Sequence, residues 1–341
     1  MKRALRVLRR NGGRVIEQAR RLFLPLAART LFPFARHTVV ENASSERGAP
    51  DFPVHPAAHE LMPPVTGVHR RSIPRSGETL PVIGLGTWQT FDRDLHGGAW
   101  AELAEVVRLL AGATGGMLDS SPMYGRAEAV CGELVAGLGL RREIFLASKI
   151  WCHGRRKGVR QMEDSSLKLR AAPVDLMQVH NLEDVHTHAR TLAEWKEAGR
   201  VRYIGLTHYH CSSYPRLENL VKTGGWDFVQ INYSMAEREA ESRLLSTCAE
   251  SGVAVVVNRP LWVGRLFERV KGKPLPGWAT EMGCRTWSQF FLKYVLGHPA
   301  VTCAIPATRS PVHMRENLEA GTGVLPDHRL RMRMVACIAE T

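Results

Sequence analysis

From residue 73 onward, two spacings of apolar residues take turns along the chain. Short, near-continuous apolar runs begin near Pro81, Met117, Phe145, Leu176, Arg202, Phe228, Ala254 and Thr302, as expected of parallel strands covered on both faces. Between these runs apolar residues recur at helical spacing, as Leu103, Val106, Val107 and Leu110 do within 100–113. The same reading predicts helices over 127–138, 158–170, 189–198, 214–222, 237–251, 285–296, 312–320 and 327–338, and a small hairpin over 73–80 with a Ser76-Gly77 turn. Eight strand–helix units in about 250 residues predict an α/β fold, a (β/α)₈ TIM barrel. A doubly wound sheet with two subdomains is the alternative. No Gly-x-Gly-x-x-Gly follows the first strand, and polar residues recur at most strand ends, so the barrel is preferred.

The first part of the chain lacks this pattern. Residues 1–72 read as an N-terminal extension and 73–341 as the barrel. Of the net charge of +13, most lies in the extension: 14 Lys and Arg stand against 5 Asp and Glu up to Arg75. Arg20-Arg21-Leu22-Phe23-Leu24 is a twin arginine before an apolar stretch, as in a twin-arginine export signal, although Pro25, Arg29 and Pro33 interrupt that stretch. A basic amphipathic helix on a tail is the competing reading. The stretch is too short and too charged to span a membrane. Residues 40–68, rich in Pro, Ala, Glu and His, read as linker. The cytoplasm is the expected compartment, with export to the periplasm as the alternative. Without interleaved aromatics in the basic segment, no nucleic-acid partner is expected. The seven cysteines are scattered with no CxxC or Cys/His spacing, which predicts no metal site and no disulfide framework.

Chemistry gathers where the strands end. The run from Gly116 closes on Asp119 and leads through a turn to Tyr124; the run from Ile144 reaches Lys149; the run from Val174 reaches His180. A tyrosine hydroxyl ionises near pH 10, and a neighbouring ammonium favours the phenolate. An aspartate paired with the lysine holds it in place and offsets the cost of burying its charge. Tyr124, Lys149 and Asp119 therefore form a coherent proton donor, and His180 is suited to orienting a carbonyl oxygen or joining the relay. The set lacks a hydride source, which a cofactor would have to supply.

Seven segments in series resemble the aldo-keto reductase superfamily: Gly84 to Trp88, Leu118 to Gly125, Ser148 to Trp151, Asp175 to His180, Arg202 to Thr207, Val229 to Ser234, and Ile305 to Thr308 followed by Arg315-Glu316-Asn317. The resemblance covers residue 73 to the C-terminus. It implies an NAD(P)H-dependent oxidoreductase that reduces aldehydes or ketones, with hydride from the nicotinamide and the proton from Tyr124, and NADPH bound at the strand ends, NADH being the alternative. By that analogy Asp119, Gly86, Thr87, Trp88, Thr207, His208, Gln230, Asn258, Arg259, Pro260, Leu261, Pro306, Thr308, Arg309, Glu316 and Asn317 border the cofactor. Trp88, Tyr124, Trp151 and His180 line the substrate pocket.

The chain also departs from the family's pattern. Thr207-His208 stands where a Ser-Asn pair usually holds the carboxamide. Asn258-Arg259-Pro260-Leu261 stands where an aromatic residue usually stacks on the nicotinamide. Ala307 and His313 replace the usual lysine and arginine at the adenosine 2′-phosphate, leaving Arg309 as the nearby cation. The partners implied are the cofactor and a small-molecule carbonyl compound. A cofactor-binding regulatory or assembly subunit on the same barrel is the competing function.

Overall fold

This computed structural model describes residues 62–339. The twin-arginine run and the linker up to residue 61 lie outside them. An antiparallel hairpin, β1 (Arg70–Ser72) with β2 (Thr79–Pro81), precedes the barrel. Ser76 and Gly77 form its turn, as expected, with Gly77 at φ 74°. β1 precedes the expected 73–80 span, and β2 overlaps it only at residues 79 and 80. Packing also reaches back beyond the expected boundary at residue 73. Val65 and Val68 are buried, His69 donates its N–H to the Gly321 carbonyl at 2.8 Å, and Arg315 bonds the Pro63 carbonyl.

Eight parallel strands follow: β3 (Leu85–Gly86), β4 (Gly116–Asp119), β5 (Ile144–Ile150), β6 (Val174–His180), β7 (Val201–Thr207), β8 (Phe228–Asn232), β9 (Ala254–Asn258) and β10 (Val301–Ala304). They pair in chain order. The sheet then closes on itself, with Gly84 N–H donating to the Ala304 carbonyl at 2.8 Å and Ala304 N–H to the Val82 carbonyl at 2.9 Å. Closure removes the open sheet edges and excludes the doubly wound alternative. At this seam Gly86 has a backbone role, because a Cβ there would lie 2.9 Å from the Ile305 carbonyl oxygen.

The barrel interior follows from the period-two alternation of each strand. Met117, Phe145, Leu176, Tyr203, Phe228 and Ala254 point inward and form one buried cluster with Ile73 and Leu80 of the hairpin. Phe145, Tyr203 and Phe228 pack ring against ring at 5.5–6.0 Å. The Tyr203 hydroxyl donates to Ser76 Oγ at 2.8 Å, so the hairpin plugs the end at which the strands begin. Two residues further along the same strands the inward positions are Asp119, Ala147, Gln178, Gly205 and Gln230, and then Lys149, His180 and Thr207. The apolar floor thus gives way to a polar layer at the strands' C-terminal ends. That is the face where such barrels carry ligand sites.

The outer helices are α1 (Gly98–Gly112), α2 (Ala127–Gly137), α3 (Arg155–Lys168), α4 (Val185–Glu197), α5 (Tyr214–Thr223), α6 (Leu244–Glu250), α7 (Arg265–Arg269), α8 (Trp287–Leu296), α9 (Pro311–Ala320) and α10 (His328–Ala339). One expectation changes. The single helix expected over 237–251 is divided into a 3₁₀ turn, Glu239–Glu241, and α6, with a break at Arg243 (φ −151°). Glu241 is what the break serves: its carboxylate accepts from Tyr233 at 2.6 Å, from Tyr294 at 2.5 Å and from Arg331 of α10 at 2.5 Å. Burial alone would raise this carboxyl, but these donors and the Arg331 charge hold it down to about 2. The stretch between β9 and α8 also carries regular structure. It contains 3₁₀ turns Trp262–Gly264 and Gly277–Met282 as well as α7. Among the described residues no helix is long and apolar enough to cross a membrane, and no group of three or more His, Cys, Asp or Glu is placed to hold a metal ion.

Candidate active site

Asp119 is the last residue of β4, buried, and its two carboxylate oxygens are used differently. Oδ2 accepts from Lys149 Nζ at 2.6 Å, while Oδ1 accepts from Gln230 Nε2 at 2.9 Å and from Gln178 Nε2 at 3.2 Å. The Lys149 ammonium donates a second bond to the Ser120 carbonyl at 2.7 Å. Burial by itself would lower the lysine. The adjacent Asp119 charge and hydrogen bond outweigh it, so Lys149 is held above the ordinary lysine value and stays an ammonium. Gly205 makes room for this arrangement, since a Cβ there would lie 3.2 Å from Gln178 Cγ and 2.9 Å from the Phe228 carbonyl oxygen.

Tyr124 comes from the turn after β4. Its N–H donates to the Ser121 carbonyl at 3.0 Å and its carbonyl accepts from Ala127, the first residue of α2, at 3.1 Å. Gly125 next to it adopts φ 60°, with the Asp92 carboxylate occupying the space a Cβ would need, and Asp92 accepts from Arg126 N–H at 2.9 Å. The turn thereby sets Tyr124 above the lysine, with Lys149 Nζ 5.2 Å from the ring centre. The sequence leads one to expect a phenol lowered by Lys149. Instead burial raises it above its usual value, and the pull of Lys149 opposes that rise without overcoming it. Tyr124 is accordingly protonated at neutral pH, with a cation beside it that favours the phenolate.

His180 ends β6, with its ring edge-on to Tyr124 at 6.2 Å and 6.3 Å from the Trp151 ring. Its Nδ1 lies 3.3 Å from Ser121 Oγ. Burial, with the Lys149 charge nearby, pushes the imidazole down to about 3, so it is neutral through the physiological range. The four residues picked out at the strand ends therefore stand together in one polar cluster.

The expected cofactor positions are distributed around this cluster. Thr87 is buried and donates to the Asp119 carbonyl at 3.0 Å. Thr207 donates to Gln230 Oε1 at 3.1 Å, so Gln230 bridges Thr207 and Asp119. Asn258 donates to the His208 carbonyl at 3.3 Å, while its Oδ1 is buried with no partner. Arg259 is half-buried, next to buried Pro260 and half-buried Leu261. Pro306 accepts from Gly86 N–H at 3.3 Å, and buried Thr308 accepts from Ser310 N–H at 3.1 Å. Arg309 is exposed, one residue before Ser310, which caps α9. Glu316 is half-buried. Asn317 is buried and accepts from Ser288 of α8 at 3.2 Å.

Sequence reading missed Gln178, Ser121 and Tyr209. Parity with His180 on β6 was the available signal for Gln178, because positions two apart share a face. Tyr209 follows His208 and stacks on it at 5.5 Å. Three aromatic rings stand exposed at this end of the barrel: Trp88 at 41%, Trp151 at 38% and Tyr209 at 43%.

Fold and site together define a (β/α)₈ enzyme whose polar chemistry sits at the C-terminal ends of its strands. The description of the aldo/keto reductase family matches residues 82–332, and the chain belongs to that family. Membership makes it an NAD(P)H-dependent oxidoreductase of carbonyl compounds. It is 27% identical to methylglyoxal reductase YeaE of Escherichia coli strain K12, over 73% of this chain and 89% of that one. It is 26% identical to aldo-keto reductase YhdN of Bacillus subtilis strain 168, over 57% of this chain and 62% of that one. In fold it is similar to an aldo/keto reductase from Klebsiella pneumoniae crystallised with NADP and acetate. That likeness has a TM-score of 0.65 at 24% identity and covers 77% of this chain and 93% of the other.

Proposed function

We propose that this protein reduces aldehydes or ketones with NADPH, and that Tyr124 donates the proton. The observation that carries the reading is the buried Lys149–Asp119 pair, at 2.6 Å, beneath a protonated tyrosine. A general acid must hold its proton until the carbonyl oxygen gains charge and must then be stable without it. Burial supports the first condition and Lys149 the second. Asp119 keeps Lys149 charged and fixed, and Gln178 and Gln230 keep Asp119 fixed in turn. In the tautomer in which the Ser121 hydroxyl donates to Nδ1, neutral His180 carries its proton on Nε2 and can hydrogen-bond the carbonyl oxygen. Trp88 and Trp151 border the pocket that receives the rest of the substrate.

The chain's own residues fit a nicotinamide cofactor. Asn258 Oδ1, buried and unpartnered at the end of β9, is a ready acceptor for a carboxamide N–H, with Gln230 on the adjoining β8, Thr207 at the end of β7 and His208 just beyond it. Bound there, the nicotinamide supplies the hydride. Gly86, Thr87, Trp88, Pro260, Leu261, Pro306, Thr308, Glu316 and Asn317 belong to the same cradle by family analogy. The Klebsiella pneumoniae relative's NADP complex supports NADPH over NADH. So does Arg309, an exposed guanidinium without a carboxylate partner among the described residues, at the N-terminal end of a ten-residue helix. Arg309→Ala should therefore weaken NADPH binding in a fluorescence titration and leave NADH binding close to wild type, since only NADPH carries the 2′-phosphate. Equal losses for both would remove Arg309 from that role. The division into an N-terminal extension and a barrel belongs to the same reading. So does a cytoplasmic site of action, where NADPH is regenerated.

A panel of small aldehydes and ketones tests the function itself. Carbonyl-dependent oxidation of NADPH is the expected result. Tight NADPH binding with no turnover on any member would instead identify a regulatory or assembly subunit.

A further inference from the structure

Arg259 is the residue after β9; its carbonyl accepts from Trp262 N–H at 2.9 Å, while its guanidinium has no hydrogen-bond or ion-pair partner among the described residues. It is half-buried, with its backbone in the left-handed region at φ 51°. A side chain other than glycine occupies that region rarely, and such positions concentrate at ligand sites. The guanidinium lies over Tyr209, its Cζ 4.3 Å from the ring centre and 6.0 Å from the centre of the Trp88 ring. Tyr209 is backed in turn by His208, and His208 is fixed by the Asn258 amide. The stack immobilises the guanidinium while leaving its N–H donors unpaired. Its charge is felt, weakly, at Tyr124, where it favours the phenolate. The acid at the centre of the active site is no partner for it, because Asp119 is fully engaged by Lys149, Gln178 and Gln230.

An immobilised cation with free donors, set among exposed aromatic rings and near the proton donor, is suited to an anion carried on an aromatic body. We infer that Arg259 binds a carboxylate of the substrate, so that the preferred substrates are aromatic aldehydes and ketones bearing a carboxylate. This rests on the carbonyl-reductase reading and narrows it. Arg259 remains beside the nicotinamide in that reading, with its guanidinium directed at the substrate bound there.

The experiment compares kcat/KM for 2- and 4-carboxybenzaldehyde with that for benzaldehyde at saturating NADPH, in wild type, Arg259→Met and Arg259→Lys. The wild type should favour at least one charged aldehyde. In Arg259→Met the ratio of charged to neutral should fall about 10- to 100-fold, as for a lost charge-assisted hydrogen bond. Arg259→Lys should recover part of it, keeping the charge but not the planar fork. Fluorescence titrations with NADPH and with 4-carboxybenzaldehyde accompany the kinetics. A wild type indifferent to the carboxylate, or a ratio unchanged in Arg259→Met, would overturn the inference while leaving the reductase reading standing. A ratio unchanged with NADPH binding weakened would overturn it too, by giving the guanidinium to the cofactor's phosphates. Without turnover of any aldehyde, loss of 4-carboxybenzaldehyde binding in Arg259→Met would still support the carboxylate site, and equal binding by both proteins would overturn it.

Discussion

Tyr124→Phe should lower the rate of the chemical step by about 10²- to 10⁴-fold, the usual contribution of a positioned general acid. The change removes one hydroxyl and keeps the ring that meets His180 edge-on at 6.2 Å, so fold and cofactor affinity should stay near wild type. Single-turnover oxidation of NADPH separates this step from product release. Near-normal chemistry in the variant would show that another group, or water, supplies the proton.

Lys149→Met should affect both stability and chemistry. It leaves Asp119 buried among amide donors with no cation, and breaking one side of a buried ion pair typically costs about 3–5 kcal/mol. Chemical denaturation should show that loss as a lower midpoint. The sign with pH follows from the raised lysine. Folding increases its proton affinity, so its stabilisation is fully present below the ordinary lysine value of about 10.4 and is lost only as pH rises past the folded value. The deficit of the variant should therefore be constant across neutral pH. In the pH–rate profile, loss of the largest influence favouring the phenolate should move the basic limb to higher pH. A variant as stable as wild type, with an unmoved profile, would mean that the pair neither supports the site nor tunes Tyr124.

Asp119, Lys149 and His180 were legible in the sequence because each stands at the end of an apolar run, and Tyr124 because it lies in the turn that follows one; the end of a parallel strand is where a barrel opens. The eight strands were legible for the same reason. What stayed hidden depends on pairing across strands. Gln178 and Gln230 lie within apolar runs, and only the register that sets Lys149 beside Gln178 and Thr207 beside Gln230 shows that they converge on Asp119. The net direction of Tyr124 was missed because burial depends on the packed structure, whereas a neighbouring charge can be guessed from order along the chain. The break at Arg243 follows from Glu241 being drawn to Tyr294 and Arg331, residues far along the chain. The Arg259 stack needs a left-handed backbone that no glycine or asparagine announces.

Isotope transfer from the cofactor is the most direct test of the central claim. Wild-type protein is mixed with NADPH deuterated at the transferable position and with a carbonyl compound, and the alcohol is read by mass spectrometry. One deuterium should appear at the carbinol carbon, at a rate that Tyr124→Phe reduces. NADPH that binds but leaves the alcohol unlabelled, or labelling that is unaffected by Tyr124→Phe, would contradict the account.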